Sequence, residues 1–98
     1  MATTNTLTWN KNPEPDVAKY NVYRNIGSAP TKTPGNLVAS VANTSASPTY
    51  ADVVSADGDY FYAVTAVDTS NNESALSVVK DKVVDSVPPS PPVGLVVV

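Results

Sequence analysis

The pattern of apolar and polar positions along this chain marks a series of extended runs whose side chains alternate between two faces, and the central one covers residues 57–68, DGDYFYAVTAVD. Tyr60, Tyr62, Val64 and Ala66 fall on one side of an extended strand there; Phe61, Ala63, Thr65 and Val67 fall on the other. Aromatic and β-branched residues on both sides predict a central strand with little exposure. Asp57-Gly58 opens the run, and Asp68-Thr69-Ser70-Asn71-Asn72 closes it as a polar turn. The same alternation predicts strands over 6–10 with Leu7 and Trp9 inward, and over 17–24 with Tyr20 and Val22 opposed to Asn21 and Tyr23. Shorter ones follow over 36–42 and over 49–54, the latter holding Tyr50 and Val53 or Val54. A long last strand is expected over 73–84, with Leu76, Val78 or Val79, and Val83 inward. Residues 11–16 and 25–35 read as loops, the second long enough to be the most mobile segment. Helical spacing is hinted at only over 13–19, where Pro15 limits it. Short strands between turn signals, with no helix among them, predict an all-β sandwich.

Ninety-eight residues suffice for one domain with a modest core. Cysteine is absent, so no disulfide holds the chain and redox chemistry does not reveal its compartment. The net charge of −3, with six scattered basic residues, gives no footprint for nucleic acid. Lys80 and Lys82 alternate in the manner of a guarded sheet edge. No apolar run reaches the length that crosses a bilayer, and residues 1–5 lack the pattern of a signal peptide.

Several stretches, in order, resemble a fibronectin type III domain of the kind found in bacterial and phage proteins. They are Leu7-Thr8-Trp9, the run from Asp16 through Tyr20-Asn21-Val22-Tyr23 to Arg24, Tyr50-Ala51-Asp52, the run from Gly58 to Asp68, and Asn72-Glu73-Ser74. The resemblance implies an immunoglobulin-like sandwich of seven strands in two antiparallel sheets, with Trp9, Tyr20, Val22, Tyr60, Tyr62 and Val64 as core. It also implies that Tyr60 occupies a corner, its hydroxyl returning to nearby backbone.

The departure from the family lies at the two ends. The family's first strand, a proline-rich lead followed by a Leu-x-Val pattern, is expected about ten residues before Leu7. That pattern stands instead at residues 88–98, PPSPPVGLVVV. Residues 1–84 are therefore read as the sandwich, and 85–98 as a proline-rich linker plus a detached edge strand. Val93, Leu95, Val96, Val97 and Val98 are the expected strand-exchange surface, completing a sandwich in trans or in cis. A boundary that leaves this tail disordered is the other reading.

Chemistry is sparse. With no histidine or cysteine, the commonest bases, thiol nucleophiles and transition-metal ligands are missing. Asp57, Asp59, Asp68 and Glu73 lack the spacing of a calcium loop and read as turn formers. Glu14 and Asp16 read as a solvated pair, and Tyr23 as a cross-strand packer rather than a carbohydrate contact. Asn43-Thr44-Ser45 and Asn72-Glu73-Ser74 fit the glycosylation sequon, relevant only in a eukaryotic secretory route. The expectation is a non-catalytic structural or binding module without cofactor or metal. Its partners would be proteins (its own copies or a neighbouring domain), in an assembly such as a virion surface or another extracellular setting. The alternative is a spacer module of a secreted polysaccharide-degrading enzyme, with carbohydrate nearby. Loops 25–35 and 11–16 are the first places to look for recognition.

Overall fold

The computed structural model describes residues 2–87 and 89–97. These residues form six strands in chain order: β1 (Thr3–Thr8), β2 (Val17–Ile26), β3 (Leu37–Ala42), β4 (Thr49–Val54), β5 (Gly58–Asp68) and β6 (Lys80–Val84). They form two antiparallel sheets, β1-β4 and β3-β2-β5-β6. The sheets stack as a β-sandwich, with Val22, Tyr60, Tyr62 and Val84 of the larger packed with Val54, Leu7 and Tyr50 of the smaller.

Burial follows the pleat. On β2 and β5, Tyr20, Val22, Tyr60 and Tyr62 are buried, whereas Val64, like Trp9 beyond the end of β1, is only half-buried. β5 lies between β2 and β6, and its second face is covered as well: Ala63, Thr65 and Val67 are buried. The Tyr60 hydroxyl donates to the carbonyl of Ala56 at 2.7 Å, tying the strand to the turn before it. At the far end, the Asp68 carboxylate accepts the N–H groups of Ser70 and Asn72, and Asn71 adopts φ 64°. Those bonds, led by the Asn72 side chain, hold Asp68 below the usual carboxylate range.

β1, β2 and β6 differ most in their bounds from the sequence reading. β1 starts at Thr3 and ends at Thr8, because Thr3–Asn5 continue the ladder with Asp52–Val54, while Trp9 instead donates its N–H to the Pro48 carbonyl. β2 runs past Arg24 to Ile26, paired with Tyr60. The expected strand over 73–84 is realised only as Lys80–Val84, and serine chemistry explains why. Ser74 and Ser77 donate their N–H groups to the carbonyls of Ala66 and Val64, but their hydroxyls take the return N–H groups of those residues. Side-chain oxygens thus replace backbone carbonyls and the regular ladder lapses.

Pairing Gly58 with Val84 and Tyr60 with Lys82 also sets the parity of β6. Val84 turns inward and is buried, whereas Val83, expected inward, is 61% exposed. Val78 is 75% exposed, with Leu76 and Val79 half-buried, and on β4 Val54 rather than Val53 faces the core.

Candidate strand-binding cleft

The two sheets are unequal in width, and the site follows from that inequality. Four strands stand opposite two, so the inner face of β5 and β6 projects beyond β1. An open cleft of ≈ 1070 Å³ results, lined by Asn5, Leu7 and Trp9 on one wall and Tyr62, Val64 and Lys82 on the other. Among the described residues β1 pairs with β4 alone, so its second edge borders this cleft without a strand partner there. Lys80 and Lys82 lie opposite Tyr62 and Tyr60 in register, hence on the inner face of the edge strand β6, yet both are exposed.

A polar chain crosses from one sheet to the other at the cleft. Arg24 on β2 clasps Asp52 on β4 through Nη1 at 3.0 and 2.9 Å from the two carboxylate oxygens. Its guanidinium also lies 5.6 Å from the centroid of the Tyr60 ring. The Tyr62 hydroxyl donates to Asp52 Oδ2 at 2.5 Å and accepts from Asn5 Nδ2 at 2.9 Å. Burial first, and then the bond to Asp52, push the Tyr62 phenol up to about 12. Burial pulls the Arg24 value down, but the bond to Asp52 and its charge more than reverse this and leave it raised. At the cleft itself, Asn5 Oδ1 and Trp9 Nε1 are buried without a hydrogen-bond partner. An acceptor and a donor there are both unsatisfied, which is unusual inside a folded chain.

The segment expected to donate a strand lies away from the body. Val93, Leu95, Val96 and Val97 are 96, 89, 73 and 92% exposed, and residues 89–97 join no strand. Gly94 adopts φ +80°, so the segment is not a regular strand in the single chain. Val98 and Pro88 lie outside the described residues. The Cα radius of gyration is 18.2 Å, against roughly 13 Å for a compact chain of this length. The long dimension of 73 Å, beside 26 and 22 Å, reflects the projecting tail. Among the described residues Ser86 is the last with a hydrogen bond to the body, its N–H and hydroxyl both donating to the Asp57 carboxylate.

The remaining candidate residues do not converge. Asp57 holds Ser86, Asp68 closes its turn, and Asp59 is held above the usual carboxylate range by the carboxyl of Asp81 beside it. Among the described residues, no three such side chains form a metal-sized group. Glu14 and Asp16 are exposed. Loop 27–36 is tied down by the Asn36 side chain, which accepts from Thr31, and by Lys32, which donates to the Ser74 carbonyl. Tyr23 is buried, and its hydroxyl donates to Glu73, which also accepts from Thr65 at 2.6 Å and Asn21 at 3.3 Å.

For Glu73, burial opposes ionisation, but the bonds from Thr65, Tyr23 and Asn21 and the charge of Lys32 outweigh it and hold the carboxyl below its usual range. Because the folded value is depressed, the stability this carboxylate adds is complete above the unfolded value of about 4.3. It is lost as the pH falls through the lower folded value. Glu73→Gln is expected to cost less than about 1 kcal/mol at pH 7, since Glu73 is exposed and solvent screens it. The difference from the parent should shrink below pH 4, measured by urea unfolding as a function of pH. A difference that stays constant down to pH 2 would assign it to shape rather than charge.

Sequence reasoning missed Asn5, Arg24 and Asp52 as interior residues. The signal was there in the alternation itself: Asp52 sits between Tyr50 and Val54 on one face of β4, and Arg24 follows Tyr20 and Val22 on one face of β2. No protein-family model, curated protein or solved structure matches the chain.

Proposed function

We propose that the chain is a non-catalytic structural module of the fibronectin type III kind, joining parts of a larger assembly, and that the 93–98 segment completes its sandwich by lying in the cleft. The observation that carries this reading is the free edge of β1 beside an apolar cleft as long as one short strand. β1 has six residues, about 20 Å of strand, and the donor segment has the same length. Two further observations support it. The Tyr60 hydroxyl returns to backbone four residues upstream, as the family's corner tyrosine does. Six strands in two antiparallel sheets correspond to the family's seven less the first.

Trp9, the single tryptophan, stands in the cleft and reports on its occupancy. The full chain carrying Leu95→Asp, which disables its own tail, is titrated with a peptide of residues 89–98. Saturable binding is expected, with Trp9 emission moving to shorter wavelength and the melting temperature rising with peptide concentration. Unchanged emission and melting at millimolar peptide would overturn the reading.

A further inference from the structure

Resting on that reading, we infer that the strand comes from a second copy of this chain and runs antiparallel to β1, so that copies add head to tail in a polar, open-ended row. The direction of each strand decides this. Val84 ends β6 opposite Gly58, and Thr3 begins β1 opposite Val54, four residues before Gly58. The tail therefore leaves the body at the pole where β1 starts. A strand that adds antiparallel to β1 must enter from the other pole, near Trp9.

Within one chain, the linker would first have to cover the length of β1, about 20 Å, and then reverse. Linker residues 85–92 contain Pro88, Pro89, Pro91 and Pro92, which favour an extended path at about 3.1 Å per residue and resist a sharp reversal. Two copies exchanging tails reciprocally would meet start pole to start pole. Each tail would then enter beside Thr3 and run parallel to β1. Only a copy placed beyond the first in the same orientation receives the tail at its far pole with the antiparallel sense. Such a contact is heterologous and does not close on itself.

Parity and the three inward residues of the cleft wall together set the register. Val93, Leu95 and Val97 share one face of an extended segment and must meet inward residues of β1. The inward residues that line the cleft are Asn5, Leu7 and Trp9. Leu95 then lies opposite Leu7, with Val97 at Asn5 and Val93 at Trp9, burying three side chains now almost wholly exposed. On the outer face, Val96 falls opposite Thr6, both exposed in the single chain.

That outer pair provides the test, because the chain has no cysteine of its own. The full chain carrying Thr6→Cys and Val96→Cys is oxidised mildly and run without reductant. Directly opposed strand positions lie within disulfide reach. A ladder extending past dimer, collapsing under reductant, is expected, with Thr8→Cys/Val96→Cys giving much less. A product that stops at dimer would mean reciprocal exchange, and a monomer with an internal disulfide would mean closure within one chain. Either of these, or no disulfide at all, overturns the inference while a positive peptide titration leaves the strand-binding reading standing. A negative titration removes both.

Discussion

Tyr20→Ala is expected to destabilise the sandwich by about 4 kcal/mol, a large part of the 5–15 kcal/mol typical of a domain. Tyr20 is 1% exposed on β2, between β3 and β5. Its ring meets Trp9 edge to face, with centroids 5.5 Å apart and planes at 72°. Its hydroxyl accepts the N–H of Asn12 at 2.8 Å, which ties the 10–16 loop to the core. Alanine removes the ring, leaves a cavity that two neighbouring strands hinder from collapsing, and frees Trp9 on one side. Tyr20→Phe keeps the ring and should cost only about 1 kcal/mol. Urea unfolding followed by Trp9 emission separates the two variants. A loss below about 1.5 kcal/mol for alanine would show that Trp9 falls into the space and that the cleft wall is not fixed by Tyr20.

The second large effect concerns the ion pair between the sheets. Arg24→Met should cost about 3 kcal/mol, because it leaves the Asp52 carboxylate, 4% exposed, with only the Tyr62 hydroxyl for a partner. The figure is at the low end for a broken buried pair, since the Arg24 side chain is 28% exposed and water relieves part of the loss. Replacing Asp52 as well, as Arg24→Met/Asp52→Asn, should recover more than half of it, because no unpaired charge then remains inside. Thermal or urea unfolding of both single variants and the double gives the coupling. Strict additivity would mean that the pair contributes shape and packing, not charge.

The pair also illustrates how far the alternation carries. Tyr20, Val22, Tyr60 and Tyr62 could be placed on inward faces from period alone, since an apolar stripe must be hidden from water. Arg24 and Asp52 occupy the same stripes, but a charge at an inward position carries no sign of its partner. The partner lies 28 residues away on the other sheet and becomes visible only when the sheets stack. The lapse over 74–79 was illegible for a different reason. Valine and leucine at those positions favour a strand, and only the aligned neighbour β5 shows serine hydroxyls taking the place of carbonyls. Val83 and Val84 are equivalent in composition; the one that points inward depends on the register with Gly58 and Tyr60.

By itself the sequence determined the all-β class, the succession of strands, the inward stripes and the apolar character of residues 93–98, because these follow from side-chain period and turn chemistry along the chain. Tertiary structure alone decided that one sheet has two strands and the other four, and that the resulting cleft borders β1. It also decided that the tail departs at the pole from which an antiparallel strand cannot begin. Those facts depend on which strands neighbour one another and in which direction each runs. Both are set by contacts between residues far apart in the chain, which no local pattern encodes.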